Sequence, residues 1–418
     1  MKKLGLLILV SVFGVSAWAA DAQEALNFYK KELSSFPVKT SRDNRAYALS
    51  LADGLNTWVL QHEKDSAVPT ARLLQARLLA KAQENGAAFV TLLQLRYMFP
   101  QVDVASLKSI LEESLNGLDK NVRQTAQELF TKGASAKATE LPQQEAESLY
   151  ALSKLSGKNF YPAATQAFER FFVRYPNYAG NNEAELWYGD LHRLNGNYLA
   201  AIAQYKKADA LYPNSPYKAA SLRLIGDIYA DNLKDTDAAL NAYTTVLRLY
   251  PKSSELGIVY KHMAILDENN KQYDSALINY DKAIELLGDA TSVHDAYRGK
   301  ADVYLKTKQY EQAYTVLHQA AALPNLPKAQ ALQSLQEAAN IARKRLKDDV
   351  KYTQSLEKAI LLAPGEQETA PLMYELANAY EKQGKTAQAQ ELYKKLILQF
   401  PTGKYASGAQ SRLDRLNK

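Results

Sequence analysis

The chain contains no cysteine among its 418 residues. This absence excludes disulfides, a thiolate nucleophile, cysteine-ligated zinc and iron–sulfur clusters, and it excludes a lipoprotein whose lipid is carried on an N-terminal cysteine. The charge imbalance is also small, since 51 Lys and Arg face 45 Asp and Glu, for a formal net charge of +6. No basic stripe or tail of the kind typical of nucleic-acid-binding proteins is present. With 47% hydrophobic and 23% charged residues, the composition is that of a folded globular chain.

Long apolar runs are missing everywhere except at the N-terminus. Lys2 and Lys3 precede a run of about a dozen apolar residues that ends near Val15, and Ala17-Trp18-Ala19 follows. A basic start, a short apolar core and a small-x-small site are the features of a secretory signal peptide. The alternative, a membrane anchor, needs ~20 apolar residues to span a bilayer. The sequence therefore predicts export to the bacterial periplasm, with no transmembrane segment in the mature chain.

Prolines recur at a regular interval. Pro176, Pro213 and Pro251 are separated by 37 and 38 residues, and Pro364 and Pro401 by 37. An aromatic residue precedes four of these five prolines, and proline at such a place ends a helix because it lacks an N–H and disfavours helical geometry in the residue before it. A period of this length is typical of a helical solenoid.

Small and large residues also recur inside each period. A small residue in the first half of the unit is followed by an alanine and then, four residues later, often by a tyrosine, with short polar turns between. The most regular sets are Gly189–Ala201–Tyr205, Gly226–Ala239–Tyr243, Ala264–Ala276–Tyr280 and Ala377–Ala389–Tyr393. Small residues allow two helices to approach closely and the large one fills the space beside them. These tyrosines are predicted to be core residues.

This pattern resembles the tetratricopeptide repeat family. The resemblance implies an all-α fold, a right-handed superhelical solenoid of about nine or ten helical hairpins without β-sheet. The best-matching segments are residues 183–214, 217–253, 256–288, 293–325 and 369–402, and weaker copies cover 70–101 and 145–177.

The quality of the repeats divides the chain. Residues 1–19 are the predicted signal peptide, 20–140 a degenerate N-terminal set of helical repeats, 141–404 the main repeat array, and 405–418 a C-terminal capping helix with a basic face. The boundary is placed at Lys132–Pro142, where Gly, Ala, Ser, Thr and Lys replace the apolar periodicity.

Motifs that carry catalysis or bind cofactors are not evident. Ala379 to Thr386 contains Gly384-Lys385 at the spacing of a loose phosphate loop, but it follows a helix and not a strand. No histidine has a partner at metal-ligand spacing, and each is interpreted as a surface or edge residue. The histidines are His62, His192, His262, His294 and His318. The sequence therefore predicts no enzyme, no cofactor and no metal.

One position of the repeat carries a cation in three successive units. Arg223, Lys261 and Arg298 each stand three residues before the small residue of the first helix. Arg223 and Arg298 have Asp227 and Asp302 four residues later, which allows ion pairs along one helix, whereas Lys261 has no such acid. The resemblance places this row on the concave surface. The candidate partner-binding residues are Trp187, Arg193, Arg223, Lys261, Arg298 and Tyr374.

Stacked hairpins create an extended binding surface and no buried reaction centre. The chain also resembles exported bacterial tetratricopeptide repeat proteins of the cell envelope. We therefore expect a periplasmic scaffold or adaptor that binds protein partners of the envelope along its concave groove, such as outer-membrane or secretion and assembly components. The alternative is a module that binds anionic glycan or peptidoglycan, in which a tyrosine-rich groove stacks on sugars.

Export gives the first testable prediction. Signal peptidase should cut after Ala19 or one residue later, which removes Lys2 and Lys3 and lowers the formal charge from +6 to +4. Mass analysis of the protein isolated from cells decides the point. Material that keeps Met1 and sediments with membranes would contradict it.

Overall fold

The computed structural model describes residues 22–37, 41–99, 101–116, 118–134, 139–155, 160–363, 365 and 367–417. These residues form 21 α-helices and no β-strand, so the predicted all-α class is confirmed. The predicted signal peptide at 1–19 and Pro364 of the proline series lie outside the described residues.

The helices follow one another with short connections. In chain order they are α1 (Ala22–Ser34), α2 (Arg42–Gln61), α3 (Val68–Lys81), α4 (Asn85–Met98), α5 (Val104–Ser114), α6 (Lys120–Ala134), α7 (Leu141–Lys154), α8 (Tyr161–Arg174), α9 (Asn181–Leu194), α10 (Tyr198–Leu211), α11 (Lys218–Asp227), α12 (Thr236–Leu249), α13 (Leu256–Asn269), α14 (Tyr273–Leu286), α15 (Ala290–Lys306), α16 (Tyr310–Ala321), α17 (Lys328–Ile341), α18 (Asp349–Leu362), α19 (Thr369–Lys382), α20 (Thr386–Gln399) and α21 (Lys404–Leu416). Short π-helical segments, Ile228–Leu233 and Ala342–Leu346, extend α11 and α17.

Successive helices form hairpins, as α9 does with α10, α13 with α14 and α19 with α20, and α21 packs on α20. The C-terminal cap assigned from the sequence to 405–418 stays a prediction. Several of the described hairpin turns contain one residue in the left-handed region, which reverses the chain in few residues. Glycine occupies this position at Gly196 and Gly384, with φ of 78° and 72°, and lysine does so at Lys271, with φ of 61°. The second helices end at the aromatic residue before proline, as at Tyr250, which confirms the helix ends predicted from the prolines.

The chain divides into two compact units, Met1–Ser221 and Leu222–Lys418. The division lies within α11. Phe89, Phe168 and Phe171 are among the largest fully buried side chains of the first unit, and Tyr243 and Tyr393 are among those of the second. Each unit is an all-α solenoid of stacked hairpins. The sequence boundary at 132–142 concerns the regularity of the repeats and stays a prediction.

The small residues of the repeat lie where two helices touch. A Cβ atom added at Gly189 would stand 2.3 Å from Cε1 of Tyr205, and one added at Gly226 would stand 2.4 Å from Cε1 of Tyr243. Ala201 is 0% exposed. Any larger side chain at these places forces the hairpin apart, which is the physical reason for the small–large pattern.

Overpacking gives a matched test of this arrangement. Ala201→Leu inserts three carbons at a fully buried position of α10 and should lower the free energy of unfolding by ~1–3 kcal/mol. Ala203→Leu on the same helix changes an exposed residue and should alter it by less than ~0.5 kcal/mol. Denaturant unfolding of both variants measures the difference. Equal stabilities would mean that the assigned helix face is wrong.

Candidate functional site

The repeat tyrosines bind the two helices of a hairpin together. Tyr205 donates its hydroxyl hydrogen to Oδ1 of Asp190 at 2.8 Å, and Tyr243 donates to Oδ1 of Asp227 at 2.8 Å. In both hairpins the acid follows the glycine on which the ring lies. Burial, followed by the charge of the carboxylate, raises the pKa of both tyrosines, so the phenols stay protonated. The tyrosines are core residues, as predicted.

Arg223, Lys261 and Arg298 form a basic row. Its first cation, Arg223, is bonded to two carboxylates. Its Nη1 lies 2.5 Å from Oδ2 of Asp227, and its Nε lies 2.5 Å from Oε2 of Glu255, the N-cap of α13. Nδ1 of His262 lies 2.6 Å from Oδ1 of Asp227. Burial alone would raise the pKa of Asp227, but the bond to His262 and the charges of His262 and Arg223 hold it below the usual range. The Arg223–Asp227 ion pair considered from the sequence is confirmed.

Arg298 has a different partner from the one the sequence suggested. Its Nη2 lies 2.9 Å from Oε1 of Glu337 on α17, and no ion pair joins it to Asp302. The expectation of an Arg298–Asp302 pair within α15 is therefore wrong. The reason is that α17 of the next hairpin brings a carboxylate within reach of the guanidinium. Asp302 has a pKa raised by burial and then by the charge of Glu268.

Lys261, by contrast, has no hydrogen bond or ion pair within the described part of the chain. Its side chain is half-buried on α13, and Ile265, one turn along, is 41% exposed. The nearest influence of Lys261 on an acid is at Asp289, the N-cap of α15. Hydrogen bonds from Ser292 are the main cause that lowers the pKa of Asp289, and the charge of Lys261 adds to them.

The remaining predicted residues are held by their neighbours. In the first unit, Trp187 stacks on Tyr150 with ring centroids 4.8 Å apart, and Arg193 Nη2 lies 2.8 Å from Oδ1 of Asp190. In the second unit, Tyr374 contacts Tyr405, with centroids 5.8 Å apart. These three side chains support the helix packing.

The carboxylates Glu255 and Glu337 were missed by the sequence reasoning. Each lies one repeat beyond its arginine, at separations of 32 and 39 residues. An acid that stands about one repeat length after an arginine, as well as an acid four residues after it, could therefore have predicted these pairs from the sequence. The two pairs connect successive hairpins, so Arg223 and Arg298 hold neighbouring hairpins together.

The histidines also contact neighbouring hairpins. His294 is 1% exposed, with Nε2 2.8 Å from Oγ of Ser334, and His192 is 9% exposed, with Nδ1 2.8 Å from the hydroxyl of Tyr161. The interpretation of these two as surface or edge residues was wrong, because a neighbouring hairpin covers the helix face that carries each of them, the preceding one for His192 and the next one for His294. Within the described residues no group of three or more acids and histidines is arranged to hold a metal ion.

Two models of the tetratricopeptide repeat family match the sequence, at residues 182–252 and 372–403. They cover hairpins whose helices, turns and small–large contacts are described above. The chain contains tetratricopeptide repeats. Proteins built from tetratricopeptide repeats are generally scaffolds for protein–protein interaction and not enzymes.

Solved structures with weak likeness are also tetratricopeptide repeat proteins. One from Parabacteroides merdae is 18% identical, covers 66% of this chain and 100% of its own, and has a TM-score of 0.35. The C-terminal part of a repeat protein from Cytophaga hutchinsonii is 16% identical, covers 63% of this chain and 97% of its own, and has a TM-score of 0.43. No curated protein matches the chain. Among the described helices of this tetratricopeptide repeat protein, none is both long and apolar enough to cross a membrane.

The basic row gives a second stability test. Arg223→Gln leaves Glu255, which is 21% exposed, without its counter-charge, and it leaves Asp227, which is 16% exposed, with His262 and Tyr243 as its remaining partners. It should lower the free energy of unfolding by ~1.5–3 kcal/mol. Lys261→Gln changes the equivalent position of the next hairpin, where no ion pair is lost, and should change it by less than ~0.5 kcal/mol. Chemical denaturation of both variants provides the comparison. Similar losses of unfolding free energy in the two would contradict the conclusion that Arg223 holds two hairpins together.

Proposed function

We propose that this protein is a periplasmic scaffold of the bacterial cell envelope that holds a protein partner on the first helices of its second unit, with Lys261 at the centre of the contact. The observation that carries the proposal is the contrast along the basic row. Arg223 and Arg298 are neutralised by carboxylates of the chain itself, whereas Lys261 is left without a counter-ion among the described residues.

The surroundings of Lys261 favour a particular partner chemistry. Lys261 is half-buried as a residue, and the attraction between a cation and a carboxylate grows where less water surrounds the pair. Ile265, exposed one turn further along α13, offers an apolar contact beside it. An acidic segment that also carries an apolar side chain therefore fits this face. Charge of this kind chiefly sets the rate and selectivity of association.

The location of the protein rests on its N-terminal sequence. The basic start, the short apolar run and the Ala-x-Ala site at residues 1–19 support export. Export would bring the repeats into contact with envelope proteins.

The glycan-binding alternative has less support. Stacking on sugars requires exposed aromatic faces, but Tyr205, Tyr243 and Tyr280 are 0%, 1% and 2% exposed. Their rings are used in packing the hairpins, and their hydroxyls are bound to acids.

A photo-crosslinking amino acid at Ile265 tests the proposal in cells. The adduct identifies the protein bound at this face, and the purified pair then gives a dissociation constant. Lys261→Glu should weaken that complex about tenfold or more, since ~1.4 kcal/mol corresponds to a factor of ten. The affinity of the unaltered protein should fall as salt rises toward physiological strength, where charges are screened beyond ~8 Å.

Lys271→Glu is the matched control for this experiment. It reverses an exposed lysine in the turn of the same hairpin, so it changes the net charge equally. Its complex should keep the affinity of the unaltered protein. If both variants bind as tightly as the unaltered protein, Lys261 does not contact the partner.

A further inference from the structure

Three arginines converge in the first unit with few acids to balance them. Arg72 lies on α3, and Arg170 and Arg174 lie on α8. Arg174 donates through Nη1 to both carboxylate oxygens of Glu145, at 2.8 and 2.7 Å. Glu145 is the only carboxylate hydrogen-bonded to any of the three in the described residues. Arg174 therefore has a bonded counter-charge, and Arg72 and Arg170 have none.

Arg72 and Arg170 have neutral hydrogen-bond partners. Oδ1 of Asn56 accepts from Nη1 of Arg72 at 2.9 Å and from Nη2 of Arg170 at 2.8 Å. Oε1 of Gln75 accepts from Arg72 at 2.7 Å, and Oε1 of Gln94 accepts from Arg170 at 3.2 Å. Two guanidinium groups therefore meet at one amide oxygen, which carries no charge to offset theirs.

Arg72 is only 4% exposed, and buried charges in proteins are normally paired. Burial, followed by the charges of Arg170 and Arg174, lowers the pKa of Arg72 to about 9, while the charge of Glu63 acts in the opposite direction. Arg72 still carries its proton at neutral pH. A nearby negative charge would therefore relieve both the desolvation and the repulsion.

Gln94 provides a further observation at the same place. Its side chain is 4% exposed, and its Nε2 has no hydrogen-bond partner. Because its Oε1 already accepts from Arg170, the free amide N–H group lies beside that guanidinium. A buried donor left unsatisfied is unfavourable, and a bound acceptor would satisfy it.

We propose that Arg72, Arg170 and Gln94 form a binding site for an oxyanion, a phosphate or carboxylate group presented by a ligand. Guanidinium groups bind such oxygens in pairs of parallel hydrogen bonds, and the Gln94 amide supplies a further donor. Glu145 holds Arg174 and thereby keeps α7 and α8 together behind the site. Arg170 is half-buried whereas Arg72 is buried, so Arg170 is the more exposed of the two arginines. The site lies in the first unit and is independent of the contact proposed at Lys261.

Titration with inorganic phosphate or acetate, each replacing chloride at constant ionic strength, tests this site in the full chain. Calorimetry should give saturable one-site binding for at least one of the two anions, and Tm should rise with its concentration as ligand linkage requires. Binding of phosphate alone, acetate alone or both identifies the oxyanion class, and each result supports the proposal. Binding of neither anion would overturn it.

Variants separate the site from general charge effects. Arg170→Gln should weaken the bound anion about tenfold or more, because a hydrogen bond to a charged group is worth ~1.5–3 kcal/mol. In chloride its Tm should not fall, since a repulsion is removed. Arg77→Gln, on α3 with Arg72 but without an ion pair in the described structure, should bind as the unaltered protein does. Equal loss in both would overturn the proposal.

Gln94→Met provides a readout should Arg170→Gln fail to fold. It keeps the size of the side chain and removes the unsatisfied donor. It should weaken anion binding without lowering Tm in chloride. Unchanged affinity in this variant would also overturn the assignment.

Discussion

The contact on which the architecture depends is the one between a tyrosine of the second helix and a residue without a large side chain on the first. At Gly189 and Gly226 the ring lies directly on the helix backbone, so closely that a Cβ would stand 2.3–2.4 Å from it. The hydroxyl reaches past the glycine to the acid that follows it, Asp190 or Asp227. One side chain thus fixes both the separation of the two helices and their rotation, and the hairpins that stack on them inherit this geometry.

This contact also determines which charges remain for partners. Asp190 and Asp227 accept from tyrosine within the hairpin and from Arg193 and Arg223 on the same helix. Arg223 is in turn shared with Glu255 of the next hairpin. The charged side chains of the first helices therefore mainly hold the stack together. A surface that looks basic in the sequence is largely neutralised in the structure.

The sequence was sufficient to predict the fold because local, periodic signals specify it. Proline and aromatic pairs end the second helices, and small residues at fixed spacing face the tyrosines, as Gly189 faces Tyr205. The sequence was insufficient to predict the charge pairs, because a long side chain can reach acids on either of two helices. Arg298 was expected to pair within α15 and instead reaches Glu337, where distance and direction are set by the stacking of the next hairpin.

The arginine cluster was beyond sequence reasoning for another reason. Asn56, Arg72, Gln94 and Arg170 belong to the least regular repeats and are separated by up to 114 residues. No period connects them, so only the packed chain brings them together. Regular repeats therefore made the scaffold predictable, whereas the groups most able to bind a ligand arose where the regularity is weakest.

The pairing of glycine with tyrosine has a consequence for how such a chain changes over generations. Replacing Gly226 alone produces a clash with the ring of Tyr243, and shortening Tyr243 alone leaves a void and removes one hydrogen bond to Asp227. Neither single step is neutral, so the two positions should be substituted together in descendants of this gene. Duplication of a whole hairpin copies both halves at once, and lengthening the array by complete units is the route least opposed by selection.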